Sequence, residues 1–383
     1  MPTPRSTRCW PQLSESGMQH ETIYACFPPL CTRIESFEFM TRHLKDAERW
    51  KKIVHSFSDV SITALVDLVA DEFVFGEISR VSREAPVLIL KHRERTVLPG
   101  GGGNAVMNLA TLGVNVLPVG VVGDDEAGSL LLEQLREKKV ATSGIERVKN
   151  RITPTKTRIL AGMSHTSRQQ VVRVDHEPEP LDEMHPILLN LVNAAREYAT
   201  ASDGFLISDY GYGSATPRLL NFTKSNHCLQ NQPVTLDSRY RMLEFEGVNA
   251  ATPNEPEVEE ALGVKIGRDD EKLFAAGERL VKQMELESLV ITRGRDGMVA
   301  FEKDRPPLAV PIFGSDQVVD VTGAGDTVIA TFTAALAAGA DTADATRLAN
   351  FAGGIVVMKR GTATVSNKDL LAAIDQHSAA TTT

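Results

Sequence analysis

The sequence predicts an α/β fold on a mostly parallel sheet, carrying a small β appendage over a crevice. Three observations lead there. From about residue 58 onward, short apolar runs alternate with amphipathic stretches, the pattern of strands feeding crossover helices. Two segments rich in β-branched residues, Phe73–Leu98 and Ile152–Val174, interrupt that rhythm. Two glycine-rich runs, Gly100-Gly101-Gly102-Gly103 and Gly323-Ala324-Gly325, each open directly into a helix-forming stretch.

Taken in order, residues 1 to about 57 differ in texture from the rest. They hold early prolines and both tryptophans, Trp10 and Trp50, without strand and helix alternation, so a loosely ordered extension is expected, helical from Arg42 to His55. Strands are expected at Ile62–Leu68, Val116–Val121, Gly204–Ser208, Val234–Leu236 and Ser288–Thr292. Helices are expected at Asn104–Leu112, Glu126–Lys138, Asp182–Tyr198, Glu257–Leu262, Asp270–Met284, Thr327–Ala338, Thr342–Met358 and Asn367–His377. One folded unit over 58–375 follows, with a short tail at 376–383 and no fixed-period repeat.

Composition narrows the function classes. With 42% hydrophobic and 24% charged residues among 383, the chain is neither disordered nor fibrous over most of its length. Lys plus Arg is 41 and Asp plus Glu is 50, and the resulting net charge of −9 argues against nucleic-acid or anionic-membrane partners. Any anionic ligand needs a local site. No apolar run reaches the roughly 20 residues of a membrane span, and Met1–Cys31 has no continuous apolar region of a signal peptide, so a cytoplasmic address is expected. Cys9, Cys26 and Cys31 lie in the extension and Cys228 stands alone, which writes no disulfide framework. With His20 they could be read as zinc ligands, but no paired Cys-x-x-Cys spacing supports that.

The sharpest chemical signal is Asp320-Val321-Thr322-Gly323-Ala324-Gly325-Asp326-Thr327, followed by the helix-forming run Val328–Gly339. Glycine lets backbone amides approach a ligand, and a helix N-terminus aims unpaired amides and a positive dipole end at it, so this is a phosphate cradle. Asp326 in the first turn is placed to take a proton from a hydroxyl attacking phosphorus. The plainer explanation is that Asp326 only caps the helix. In the second glycine run, Asn104 offers donor and acceptor to a polyhydroxylated ligand, whereas a flexible turn after a hairpin is the bland account. No Lys-Ser or Lys-Thr ends that run, and no G-x-G-x-x-G occurs anywhere. Asn254-Glu255-Pro256-Glu257 could orient metal-bound water, and a helix start with acidic first-turn residues explains it equally well.

The glycine run with Asn104, then Asn254-x-x-Glu257, then Asp320 through Asp326, in that order, resembles the signatures of the PfkB (ribokinase-like) carbohydrate kinases over roughly residues 58–375. Gly76–Pro86, Gln169–Asp175, Ser208-Asp209-Tyr210 and Lys359–Val365 look most like its heptose 7-phosphate kinase branch, which supplies lipopolysaccharide precursors. The resemblance implies a ribokinase-like three-layer sandwich with a β lid formed by about 73–98 and 152–174. In that family the lid often doubles as a dimer clasp, so a homodimer is an expectation. It implies ATP as co-substrate, Mg²⁺, room for a monovalent cation, and a sugar phosphate as acceptor. It further implies Asp326 as base, Gly323, Ala324 and Gly325 as anion hole, and Asp71, Gly100, Gly101 and Asn104 at the sugar. Thr292, Gly294, Gly297, Asn350 and Gly354 would border the nucleotide, and Asn254 and Glu257 would hold the metal through water. A phosphate on the sugar would need cations, for which the lid offers Arg80, Arg158 and Arg173.

Some positions depart from the branch: Val66 stands where Gly is usual, Tyr212 where Lys is usual, and Ser238-Arg239 where Pro-Lys is usual. These bear on the sugar more than on phosphoryl transfer. A kinase for another sugar or a nucleoside remains an alternative, as does a silent sugar or nucleotide sensor, although a sensor has no use for Asp326. No His-x-Gly-His signature occurs, so a fused adenylyltransferase half is expected to be absent.

Overall fold

Strand β1 (Ser61–Val81) is the axis of the molecule, because its two halves belong to two different sheets. The computed structural model describes residues 45–162, 169–225, 228–314 and 319–382. Within them, helix α1 spans 45–55 and precedes β1. The chain continues through β2 (Leu88–Gly101), α2 (Gly102–Thr111), β3 (Asn115–Gly123), α3 (Glu126–Glu137), β4 (Ile145–Val148), β5 (Thr155–Gly162) and β6 (Gln169–His176). Then come α4 (Ile187–Ala199), β7 (Gly204–Asp209), α5 (Pro217–Lys224), β8 (Val234–Ser238), β9 (Ala250–Ala251), α6 (Glu255–Leu262) and α7 (Asp270–Gln283). The last stretch holds β10 (Ser288–Thr292), β11 (Met298–Glu302), β12 (Leu308–Val310), α8 (Ala324–Ala337), α9 (Thr342–Val356) and α10 (Asn367–Thr382).

The main sheet runs β12-β11-β10-β9-β8-β7-β1-β3-β4 and is parallel from β10 to β4, with β11 and β12 antiparallel at one edge. Its strands are apolar on both faces, as a sheet covered by helices on both sides requires. Ala64, Val66 and Leu68 of β1 pack with α1, α2, α8, α9 and α10, while Leu65 packs with α4 to α7 on the opposite face. These are the expected three layers.

The outer half of β1 pairs antiparallel with β2 and parallel with β5, and β5 pairs antiparallel with β6. This is the predicted β lid, with one correction. The segment from Phe73 is no separate insert, since β1 runs unbroken from core to lid for 21 residues. The lid is therefore hinged on a core strand next to the crevice.

Two predicted boundaries are corrected. Residues 45–57 belong to the core rather than to an extension: Trp50, Ile53, Val54 and Phe57 are all buried in it. Their spacing of three, four and seven is a helical apolar stripe. Trp50 Nε1 also donates to Asp344 Oδ1 at 2.7 Å, and the Arg49 guanidinium grips the same carboxylate. At the other end α10 continues through 376–382, where a tail was expected, and the His377 ring lies 5.3 Å from that of Phe351. Helix α4 starts at Ile187 rather than at Asp182, because Pro186 sits at its N-cap and Asp182 instead closes a turn on the Met184 amide. The start of the predicted helix at Arg42, and Cys9, Cys26, Cys31 and His20, lie outside the described residues. Among the described residues no helix is long and apolar enough to cross a membrane.

Candidate active site

At the C-terminal ends of the parallel strands, in the crevice under the lid, the glycine motifs meet. Strand β2 runs straight into α2 at Gly101–Gly102, so the four glycines form a strand end and a helix start rather than a loose turn. Gly100 lies against Asp71 so closely that a Cβ there would fall 2.3 Å from Asp71 Oδ2. Helix α8 starts at Gly323, whose φ of +76° is the left-handed region that suits glycine.

Asp326 is not the cap of α8; Gly323 holds that position and Asp326 sits in the first turn, 3% exposed. Both oxygens of its carboxylate are held. Tyr210 Oη donates to Oδ1 at 2.7 Å and Asn104 Nδ2 donates to Oδ2 at 3.0 Å. Burial pushes this carboxyl up to about 7 against those two donors. The purely capping explanation is thereby overturned. Asn104 is engaged in the same network: its amide also donates to the Gly323 carbonyl, and its oxygen accepts from Asn108.

Of the three expected anion-hole residues, Ala324 uses its amide on the Val321 carbonyl at 3.2 Å. The amides of Gly325 and Asp326 have no partner among the described residues, and the Gly325 Cα faces open space. Of the expected three, Ala324 is thus the one whose amide is already used, and Asp326 adds a free donor to the helix start.

Asp71 is buried on β1 and paired with Arg158 of β5 at 2.5 Å. Burial pushes its pKa upward, opposed by Arg158, Lys156 and Arg173. Arg173 lies farther out on β6, exposed, with both of its hydrogen bonds going to Asp175 at 2.8 and 2.7 Å. Arg80 is exposed on the last turn of β1 into solvent and makes no recorded contact with the crevice.

On the other side of α8, Thr292, Gly294, Gly297, Asn350 and Gly354 line one cavity of about 150 Å³ together with Val321, Ala324, Gly325 and Val328. The five expected nucleotide-side residues thus converge, from β10, the turn after it and α9. Asn350 reaches that cavity while its amide donates to the Pro311 carbonyl at 2.8 Å. Asn254 and Glu257 do not line the cavity; they form a reciprocal capping box at the start of α6, and Asn254 bridges to Thr292. The bland account of this pair is correct for one oxygen of each side chain. Glu257 and Asp237, at the end of β8, both have raised pKa values, through burial first and, for Asp237, through the nearby charges of Glu257, Asp326 and Asp209. Such neighbouring carboxylates suit a hydrated divalent cation more than a direct cage. Among the described residues there is no cluster able to ligate a metal directly.

Sequence reasoning gave no role to Tyr210, Asp67 or Lys156. Asp67 accepts from the amides of Tyr210, Tyr212, Ser214 and Ala215, which fixes the loop that carries Tyr210. The visible signal for Lys156 was Lys-x-Arg at strand spacing, which puts two cations on one face. The departures also find a place. Val66 fills the room left by Gly102, Tyr212 Oη donates to Glu177 at 2.6 Å, and Ser238 Oγ donates to the buried Asp209. None of these three bonds to Asp326.

A two-sided crevice with a held carboxylate at a helix N-terminus, a lid and a second cavity across that helix is the architecture of a sugar kinase of the ribokinase-like fold. The chain belongs to the pfkB family of carbohydrate kinases, whose model matches residues 68–369. It is 39% identical over 323 residues to the Bifunctional protein HldE of Geobacter metallireducens, covering 84% of this chain and 64% of that one. It is 36% identical over 329 residues to the protein of the same name from Mesorhizobium japonicum, covering 84% and 64%. The chain thus spans a little under two thirds of the length of these curated relatives. Among solved structures, phosphofructokinase-2 from Escherichia coli in complex with substrates and products superposes with a TM-score of 0.67 at 18% identity, covering 83% of this chain and 99% of that one. Arabidopsis thaliana ribokinase complexed with ribose and ATP gives 0.63 at 20% identity, covering 82% and 98%. At such identities these two speak for the fold.

Proposed function

We propose that this carbohydrate kinase transfers the γ-phosphoryl of ATP to the anomeric hydroxyl of a heptose 7-phosphate. The observation that carries phosphoryl transfer is Asp326, buried at the start of α8 and held by Tyr210 and Asn104. Its carboxylate takes the proton of the acceptor hydroxyl as that oxygen forms a bond to the γ-phosphorus and the bond to the β-phosphate oxygen breaks, leaving ADP. The free amides from Gly325 onward stabilise the charge on the transferring group. Gly100 and Asp71 border the sugar, and the cavity lined by Thr292, Gly294, Gly297, Asn350 and Gly354 takes the adenosine end. Glu257 and Asn254, with Asp237 beside them, would hold Mg²⁺ through water, and the ion would supply charge neutralisation of the ATP phosphates.

The assignment of heptose rests on the similarity to the two-function relatives and on the cation-rich lid. An ATP-consumption screen over sugar phosphates, free sugars and nucleosides tests it. Turnover confined to unphosphorylated sugars or nucleosides would overturn the heptose phosphate reading and leave the kinase intact.

A second copy of the chain is the partner we assign to the lid. Val172 and Val174 of β6 are exposed at 46% and 42%, on the face opposite Arg173, and that apolar surface suits a lid-to-lid dimer. A Val172→Lys, Val174→Lys double variant is expected to run as a monomer in sedimentation; a wild-type monomer would refute the assignment.

A further inference from the structure

The lid sheet turns one face to the crevice, and its register fixes what that face carries. Asp71 and Phe73 of β1 lie opposite Lys156 and Arg158 of β5, which lie opposite Asp175 and Arg173 of β6. Because side chains alternate along a strand, these six share one face. It is the face toward the site, since Asp71 abuts Gly100 and the Lys156 ammonium stands 5.3 Å from the centre of the Tyr210 ring.

Three cations and two carboxylates occupy that face, and their pairing leaves one cation over. Arg158 is neutralised by Asp71 and stacks over Phe73. Arg173 is neutralised by Asp175 with a two-pronged contact. Lys156, only 7% exposed, has no hydrogen bond or ion pair to a carboxylate among the described residues. Its ammonium has the Tyr210 ring beneath it; Arg239, on the segment after β8, and Arg173 repel it, while Asp71 and Asp175 attract it without forming an ion pair with it. A buried ammonium whose neighbouring carboxylates are each already bonded to an arginine is only partly compensated. An incoming anion would compensate it.

We propose that Lys156 is the principal cation for the phosphate that the acceptor sugar carries away from its reacting hydroxyl. The inference rests on the reading of the acceptor as a sugar phosphate, and it replaces the arginines that the sequence singled out. Arg80 is exposed at the far end of β1, and Arg158 and Arg173 already have carboxylates. Lys156 instead lies over the ring of Tyr210, whose hydroxyl holds Asp326, so an acceptor reaching from Asp326 along Tyr210 would meet the ammonium. There a dianion would meet the one cation of the lid's inner face that has no carboxylate within ion-pair distance.

The test compares Lys156→Met, Lys156→Gln and Lys156→Arg in the full chain, with heptose 7-phosphate and unphosphorylated heptose as acceptors. Loss of a buried charged partner should raise KM for the sugar phosphate by about thirtyfold or more in the Met and Gln variants. The kcat and the KM for ATP should stay within about threefold, since the contact is equal in ground and transition states. The preference for phosphorylated over plain heptose should fall by the same factor, and Lys156→Arg should restore most of it. Arg173→Ala should change KM by less than about fivefold, as expected of an exposed ion pair. Calorimetric binding of the sugar phosphate to each variant gives a readout independent of turnover. An unchanged KM in both neutral variants would overturn the proposal, and so would a kcat loss equal for both acceptors, which would put the ammonium on the transferring phosphoryl. A wild-type enzyme inactive on every sugar phosphate would instead remove the heptose phosphate reading itself.

Discussion

Tyr210 Oη donates to Asp326 Oδ1 at 2.7 Å, so a phenol from the loop after β7 grips one oxygen of this carboxylate while Asn104 holds the other. The two donors oppose the burial that pushes the Asp326 carboxyl up to about 7. A protonated carboxyl cannot accept the hydroxyl proton. Hence kcat/KM should fall about tenfold per pH unit below roughly 7, with the acid limb set by this group. Tyr210→Phe removes a donor that favours the charged form, so the limb should move to higher pH while the rate well above it changes little. A pH–rate profile measures both, and a limb that stays put or moves down in the variant would count against this account.

Asp326→Asn should leave ATP and sugar binding nearly intact and lower turnover by on the order of 10²–10⁴, the usual worth of a general base. Single-turnover kinetics with pre-bound substrates separates the chemical step from binding. Turnover close to wild type would exclude the residue as the base.

Gly100→Ala places a methyl 2.3 Å from Asp71 Oδ2, a carboxylate that cannot retreat without leaving Arg158. The sugar KM should rise on the order of tenfold with the KM for ATP unchanged, because only the sugar side of the crevice is displaced. Equal effects on both substrates would mean that the lid hinge itself has shifted.

Trp50→Ala deletes a buried indole that contacts Phe351 and donates to Asp344. A loss of about 3 kcal/mol or more is expected for an aromatic removed from a core, and for a domain of this size that lowers Tm by roughly 5 °C or more. Removing all residues up to 57 should prevent folding altogether, since Val54 and Phe57 leave as well. Differential scanning calorimetry on the point variant and solubility of the shortened chain check the two outcomes.

The sequence by itself determined the class of fold, because hydrophobic alternation and the helix-opening glycine runs are local patterns that survive without coordinates. Strand β10 was legible to the residue and β3, β7 and β8 nearly so, since each is a short apolar run flanked by turn residues, whereas only the core part of the 21-residue β1 was. The order of Asn104, Asn254, Glu257 and Asp326 along the chain likewise sufficed for the family. The helical stripe of Trp50, Ile53, Val54 and Phe57 was equally local and the helix was expected, yet only burial revealed it as core.

What only the tertiary structure decided is which partners these side chains have. Asn104 and Asp326 are 222 residues apart and Tyr210 and Asp326 are 116 apart, so no spacing rule could join them. The same holds for charge. The sequence offered Arg80, Arg158 and Arg173 as equivalent lid cations, and the register of β1, β5 and β6 neutralised two, left the third in solvent, and isolated Lys156. The physical reason is that a cation's role depends on which carboxylate it contacts, and strand pairing, which joins residues distant in sequence, decides which groups come within reach.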